Sequence, residues 1–461
     1  MKKKIVAALL LSSLGWTATQ AQINVSPSLK EAIDAAVSSS KVIKNEDLAL
    51  QKAGNEARAV WNKYLPVVSA NATYAYLNND LQLDIPTVSL PLTGAQLFEG
   101  STRTHNEGNV FAAGVTAKQV IFSGGQIMNG AKALEAKNEG SQYMAELKKD
   151  ELVKDVIYSF DQLRLLDQAE LLLRESEVRL KKETERVEKA IEQGLAVPYD
   201  RDKIKLASLN LESKKAEISG KKALLYIKIS SLTGYDDVQI AAVDYALVPI
   251  QVDTELDINE RNELKAMQSF SKALDYSLKK EKGSLLPTVG AFASYSYASL
   301  FNANTTFPLP ISGNQAQLNI NQATLSPNWI VGGMLKWELF GGFERKHKIE
   351  AVKIDQHILS NKQEDAARMM NLQLRNNMVN YKVQTDQLSI ADQKEKIAGN
   401  NLITAEKQYK LGLIGVTERI SAETDIYEAS LNKVQTLINQ RQAALESYAA
   451  AQPLIHFIQV K

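Results

Sequence analysis

Four histidines, His105, His347, His357 and His456, are the side chains best suited to metal binding or acid–base work. Their spacing suits neither, since His347 and His357 stand ten residues apart and do not share one helical face. Cysteine is absent, which excludes disulfides, thiolate zinc sites, cysteine nucleophiles and an N-terminal lipoprotein cysteine. No P-loop, dinucleotide fingerprint or Gly-x-Ser-x-Gly elbow occurs. An enzyme is therefore not expected, nor a cofactor, a metal or a catalytic residue. Two acids stand out by position instead: Asp200 follows Gly194 by six residues, and Glu418 follows Gly412 by six. An acid at a helix start is favoured by the helix dipole and by free N–H groups, which suffices without any function. Their matched placement nevertheless raises the question of which elements hold them.

The balance of the chain narrows the classes. Its 461 residues carry 54 Lys and Arg against 53 Asp and Glu, a formal charge of +1, so no nucleic-acid partner is expected. Hydrophobic residues at 44% and charged ones at 23% are enough for a packed structure. Lys2, Lys3 and Lys4 precede an apolar run from Ile5 to about Leu14, and Thr19-Gln20-Ala21 offers a cleavage site. Residues 1–21 thus read as a secretory signal peptide, because the run is shorter than the ~20 residues of a spanning helix.

The remainder is written twice. Tyr64-Leu65-Pro66-Val67-Val68 returns as Leu285-Leu286-Pro287-Thr288-Val289, an offset of 221 residues. Phe122-Ser123-Gly124-Gly125 returns from Phe340 as Phe-Gly-Gly, and Gly194-Leu195 returns as Gly412-Leu413, both at an offset of 218. The segment from phenylalanine to glycine therefore has one length in both copies, as expected of long helices packed in register.

Between Ser141 and Glu192 there is neither proline nor glycine, and Leu152, Val156, Phe160 and Leu163 recur at helical spacing. A helix over Gln126 to Glu192 is expected, roughly 100 Å long at ~1.5 Å rise per residue. A second helix from about Asp200 to Leu232 returns along it, making an antiparallel hairpin. The second copy repeats this with Lys346 to Lys410 and Glu418 to about Tyr448.

The charge-poor segments differ in kind. From Gly283 to Leu335, 53 consecutive residues lack Asp, Glu, Lys and Arg. Within them and their counterparts the period is two: Val68, Ala70, Ala72, Tyr74 and Tyr76 form one apolar face. Phe111, Ala113, Val115 and Ala117 form a second, Val289 to Tyr297 a third, and Trp329 to Leu339, with Trp337, a fourth. Strands of about ten residues with apolar, aromatic-capped faces match a transmembrane β-barrel, and the aromatics Tyr74, Tyr76, Phe111, Tyr295, Tyr297, Trp329 and Trp337 are expected to face outer-membrane lipid. A soluble antiparallel sheet is the competing reading, but it would normally put charge on its wet face. Asp80 to Glu107 and Asn302 to Ser326, marked by Pro86, Pro91, Pro308 and Pro310, are expected as loops. Four strands cannot close a barrel, so the chain must oligomerise through its strands.

The order of signal peptide, entry helix with Ser28-Leu29-Lys30-Glu31-Ala32-Ile33, Leu65-Pro66 before a strand, Phe122-Ser123-Gly124-Gly125 before a long helix, and the Gly194-Leu195 turn, all repeated, resembles the outer-membrane efflux channel family, the TolC-like proteins. The expected layout is repeat 1 over 22–234, with a β-hairpin at about 66–122 and a helical hairpin at about 126–233. An equatorial linker follows over 235–257. Repeat 2 covers 258–452, with a β-hairpin at about 287–340 and a helical hairpin at about 343–450, before a tail at 453–461. The fold class is a mixed α/β membrane protein in which long helical hairpins form an α-barrel tunnel. The resemblance implies a homotrimer whose twelve strands form one barrel in the bacterial outer membrane, with the tunnel in the periplasm. It implies a passive conduit for efflux or type I secretion, coupled through a periplasmic membrane-fusion adaptor to an inner-membrane pump of resistance-nodulation-division, ABC or major-facilitator type. It further implies adaptor docking on the turns at Gly194, Leu195, Gly412 and Leu413, and a periplasmic gate at Asp200, Tyr409 and Glu418. The best-known pattern is broken at Ile414, where a basic latch partner is expected, and at Ser421, where a second acid is. A trimeric adhesin or coiled-coil protein with a barrel anchor and a periplasmic helical scaffold are the alternatives that the residues leave open.

Overall fold

The computed structural model describes residues 23–84, 88–89, 91–93, 96–98, 101–194, 196–253, 255–308, 315–454 and 458–460. The proposed signal peptide, Leu195, Pro86, Pro310 and His456 lie outside them. The chain runs through β1 (Ile23–Val25), α1 (Pro27–Ser39), α2 (Lys41–Trp61), a 3-10 turn (Asn62–Tyr64), β2 (Val67–Asp84), the short β3 (Val88–Ser89) and β4 (Gln96–Phe98), and β5 (Ser101–Phe122). The helices α3 (Gln126–Glu192), α4 (Pro198–Thr233), α5 (Asp237–Ala242) and α6 (Asn262–Gly283) follow. The second copy continues with β6 (Thr288–Pro308), β7 (Gln315–Lys336), α7 (Glu344–Lys410), α8 (Val416–Ala449) and β8 (Ile458–Val460). The long helices α3 and α7 each span 67 residues. Their ends are set by glycine: Gly194 and Gly412 both adopt φ +71°, a left-handed conformation that stops a helix without the Cβ clash of other residues.

Two compact units result, one made of residues 53–136 and 272–357 and the other of the remaining described residues. The first contains an antiparallel sheet in the order β2-β5-β6-β7, so β5 and β6 join the two repeats while β2 and β7 are edges. Its strands run 18 to 22 residues, about twice the expected length. Most of the stretches expected as loops are strand: β2 continues to Asp84 opposite Ser101, and β6 to Pro308 opposite Gln315. Asparagines and prolines make these stretches read as connections, although Leu81 and Leu83 and then Ala316, Leu318 and Ile320 keep a period of two, and the backbone ladder continues because each added pair satisfies further N–H and C=O groups. Pro327 interrupts β7 at a bulge, where Ser296 pairs with Asn328 and Ala298 with Leu325. A residue without an N–H is accommodated on an edge strand at such a position.

In the second unit α1 lays Leu29, Ala32, Ile33 and Ala36 against Val153, Ile157 and Phe160 of α3, Ile229 of α4 and Tyr448 of α8, all buried. The expected single entry helix is two helices, separated at Ser40, whose Oγ accepts from the Ile43 N–H at 3.3 Å. The tail also carries structure, with β8 pairing in parallel with β1. The extended segment after α5 is clamped by buried polar groups. Arg441 of α8 donates from Nε to Asp161 Oδ2 at 2.8 Å and from Nη1 to the Val248 carbonyl at 2.8 Å, while Tyr245 Oη donates to Asp161 Oδ1 at 2.6 Å. Burial, with the Asp161 carboxylate beside it, pushes the Tyr245 phenol far above its ordinary range. Gln440 takes both the N–H (3.1 Å) and the carbonyl (2.7 Å) of Ile250. Among its described residues this segment has no ladder, and these side chains satisfy part of its backbone.

Candidate functional site

Two places carry the residues singled out by sequence, the sheet face in one unit and the helical turns in the other. On the sheet, the register settles which side chains share a face. Tyr74 stands opposite Phe111, Ala72 opposite Ala113, Val115 opposite Tyr295, Ala113 opposite Tyr297, and Tyr295 opposite Trp329. The apolar sets of the four strands therefore merge into one continuous face. Phe111 and Tyr297 rings lie 6.3 Å apart and those of Tyr74 and Phe301 6.2 Å apart, within the range of favourable aromatic pairs. Tyr74 Oη donates to Asn109 Oδ1 at 2.8 Å and Tyr76 Oη to Glu107 Oε2 at 3.2 Å, so these rings end the apolar zone with their polar tips satisfied. From Val289 to Phe301, twelve residue steps of ~3.4 Å make roughly 40 Å of strand, or roughly 30 Å in height at a tilt of ~40°. Trp337 falls one residue beyond β7, half exposed, its Nε1 donating to the Leu285 carbonyl at 3.1 Å. Exposed Leu339, Phe340 and Phe343 follow it. The opposite face of the sheet is mixed, with Phe292, Ile330 and Met334 among small and polar residues, Thr116 bonded to Ser294 at 3.0 Å and Asn328 donating to Ser296 at 3.0 Å.

At the turns, Pro198, Tyr199 and Asp200 open α4 and Val416, Thr417 and Glu418 open α8, which places Asp200 and Glu418 at the same position of equivalent first turns. Neither helix has a side-chain cap. Lys203 of α4 donates from Nζ to Thr417 Oγ1 at 2.6 Å, and Leu180, Val187, Ile204 and Val416 form a common buried cluster with Tyr409 against it. The structure thereby brings Asp200, Tyr409 and Glu418 to one end of the helical unit. Gly194, Gly412 and Leu413 are exposed there, Leu413 at 70%.

The same end contains charged groups that sequence reasoning passed over. Glu183 on α3 and Arg419 on α8 are both buried, with Arg419 Nε 3.6 Å from Glu183 Oε2 and Arg186 Nη1 donating to that oxygen at 3.1 Å. Burial and the adjacent Glu183, to which it is hydrogen-bonded, push the Tyr409 phenol up to about 12. One turn further along, Arg179 Nε donates to buried Glu423 at 2.6 Å, and Ser176 to the same oxygen at 3.0 Å. The eighteen residues from Asp161 to Arg179 on α3 match the eighteen from Arg441 to Glu423 on α8, and four more on each reach Glu183 and Arg419. Eighteen residues are five helical turns, so the two helices run antiparallel without slipping register. Although Ile414 supplies no cation, Arg419 places one five residues on. The signal for it was an Arg-Glu alternation at i, i+4 on both helices.

Among the described residues no cluster of His, Asp or Glu is arranged to hold a metal ion, and no helix is long and apolar enough to cross a membrane. His105 pairs through Nδ1 with Asp80 at 2.7 Å, while His347 and His357 are exposed.

Residues 256–451 match the family model described as outer membrane efflux protein. No curated protein sequence matches the chain significantly. Among solved structures the chain is similar to the Campylobacter jejuni CmeC outer membrane channel, with a TM-score of 0.69 at 14% identity, covering 98% of this chain and 95% of that one. It is similar to CusC, whose structures are described as reporting folding and transmembrane channel formation, with a TM-score of 0.70 at 14% identity over 94% and 93% of the two chains. The open state of the Neisseria gonorrhoeae MtrE outer membrane channel matches with a TM-score of 0.64 at 14% identity over 94% and 95%. At these identities the likeness is one of fold.

Proposed function

We propose that the chain, whose residues 256–451 match the outer membrane efflux protein model, forms a trimeric outer-membrane channel of a tripartite efflux or type I secretion system. The observation that carries this reading is the sheet: one face is apolar and aromatic across all four strands, the other carries the serines and threonines, and among the described residues both outer strands lack a partner. Such a sheet is stable in lipid only when closed by further copies. Three copies give twelve strands, with Tyr74, Tyr76, Phe111, Tyr295, Tyr297, Trp329 and Trp337 toward lipid and the serine and threonine face toward water. On α7, Met369, Leu372, Val379, Val383, Ile390 and Ile397 are exposed at intervals of three, four and seven residues, the spacing of a helix face that packs on a neighbouring helix.

The helical hairpins then line a periplasmic tunnel and the channel is a passive conduit, as CmeC and MtrE are described as channels. Energy comes from an inner-membrane pump through a periplasmic adaptor that docks on the turns at Gly194-Leu195 and Gly412-Leu413, with Asp200, Tyr409 and Glu418 at the entrance. Residues 1–21 direct export. The test is deletion in the source cell followed by fractionation of a complemented strain. Restored export of accumulated compounds, with a heat-sensitive oligomer in the outer membrane, supports the reading. A soluble monomer in the periplasm contradicts it.

A further inference from the structure

The internal duplication fixes more than the architecture, because it relates strand pairs inside the chain to a pair that only a second copy can complete. Positions in β2 and β6 correspond at the offset of 221, where Ala72, Tyr74 and Tyr76 match Ala293, Tyr295 and Tyr297. Positions in β5 and β7 correspond at 218, where Phe111, Gly114 and Lys118 match Trp329, Gly332 and Lys336. The rule is checked by the two hairpins. Applied to the first-hairpin pair Val67 and Lys118, it gives Thr288 and Lys336, which is the pair observed in the second. Applied to Ala70 and Val115, it gives Ala291 and Gly333, again as observed.

The remaining junction is β5 with β6, where repeat 1 meets repeat 2. Its counterpart is β7 of one protomer with β2 of another, the two edges that have no strand partner among the described residues. We propose that these edges pair antiparallel in the register that sets Leu335 against Ala72 of a second copy, Gly333 against its Tyr74 and Val331 against its Tyr76, an inference that rests on the trimeric reading above. These three pairs are the images of Ala117 with Ala293, Val115 with Tyr295 and Ala113 with Tyr297.

Two independent observations agree with this register. In it the odd positions of β7, which share the apolar face with Tyr295, meet the even positions of β2, which share it with Phe111. A slip of one residue sets the apolar side chains of β2 on the polar side, so the agreement of faces excludes half of all registers. The second observation lies at the turn below the strands. In the intra-chain junction Gly124, at φ +63°, leaves no room for a Cβ, which would lie 2.3 Å from the Gly283 carbonyl oxygen and 2.9 Å from Leu286 Cβ. Its counterpart Gly342 has nearly the same backbone, at φ +59°, yet nothing lies within 4 Å of the same point. The duplication places Asn62 and Leu65 of the second copy there, where Gly283 and Leu286 stand in the first junction. Side-chain size is also complementary, since Tyr74, which stands opposite Phe111 on one side, meets a glycine on the other.

The absence of native cysteine makes the register directly readable. Leu335→Cys is combined in turn with Ala72→Cys, Ala70→Cys and Tyr74→Cys, and outer membranes are treated with an oxidant. Within one chain β2 and β7 are separated by two strands, about 14 Å at ~4.8 Å per strand, so a disulfide between them is intermolecular. Directly paired positions are ~4.5–5.5 Å apart at Cα, inside disulfide range, whereas positions shifted by two are ~7–8 Å apart. The expected result is a covalent trimer formed several-fold faster with Ala72→Cys than with either shifted partner, and the same for Val331→Cys with Tyr76→Cys as a second site. Preferred bonding to position 70 or 74, or no bonding in an intact trimer, overturns the register and leaves the trimeric reading standing. Recovery of the unmodified protein as a monomer removes both.

Discussion

Replacing Arg441 by methionine isolates the contribution of the clamp that fixes the segment between the repeats. Arg441 and Asp161 are 4% and 2% exposed, and the guanidinium makes two hydrogen bonds to the carboxylate, at 2.8 and 3.1 Å, and one to the Val248 carbonyl. Without the cation, Asp161 remains buried with only the Tyr245 hydroxyl as a donor among these groups. Breaking a buried pair from one side costs about 3–5 kcal/mol, because the remaining charge is desolvated and uncompensated. Loss of the Val248 contact adds about 1 kcal/mol. The expected destabilisation of Arg441→Met is therefore about 4–6 kcal/mol, read by circular dichroism in guanidinium on detergent-solubilised protein. The control is the double variant Asp161→Leu with Arg441→Met, which leaves no buried charge and should be less destabilised than Arg441→Met alone. A loss below about 1 kcal/mol in the single variant, or a double variant that is worse than the single, refutes the argument.

Burial raises the Asp150 carboxyl from 3.8 to about 6, against the lowering effect of the Leu454 N–H that it accepts at 3.2 Å. The native state then holds a proton that the unfolded state has released, so stability falls as pH rises from about 4 to about 6 and stays lower above. Asp150→Asn should flatten that slope and stabilise the protein at pH 7 by about 1–3 kcal/mol, and parallel melting profiles from pH 4.5 to 7.5 would show the assignment wrong. Leu195→Asp combined with Leu413→Asp should abolish efflux at unchanged trimer yield, measured by drug sensitivity, whereas unaltered sensitivity removes the turns from adaptor docking. With Asp200→Asn and Glu418→Gln, cation preference in low-salt bilayers should fall at similar conductance, since six acids at one mouth sustain a negative potential. Unaltered selectivity would leave them as ordinary helix-start acids, and a large rise in conductance would show that they hold the entrance closed.

The long helices were legible because glycine marks the turns between them and no proline interrupts them, the internal Gly130, Gly140, Gly220 and Gly399 being isolated within helical periodicity. The faces of the strands were legible because period-two alternation needs only local sequence, and all four faces merge once the register is known. The far half of each strand was not, since asparagines and prolines suggested connections there, although Leu81 and Leu83 and then Ala316, Leu318 and Ile320 still alternate and backbone pairing persists. The pairing of Glu183 with Arg419 was hidden for a different reason: the partners are on helices of different repeats, and no local period connects them. The split at Ser40 depends on one side-chain cap within a helix-forming stretch. Gly342 illustrates what the duplication alone can supply, because its backbone copies Gly124 although its surroundings do not.

The claim that this chain assembles into a water-filled passage through the outer membrane is tested most directly by current. Purified mature protein, confirmed as a trimer by native mass measurement, is inserted into a planar lipid bilayer. The account predicts discrete conductance steps that are linear in voltage and require neither nucleotide nor a proton gradient. A folded trimer that inserts into the bilayer and carries no current contradicts it.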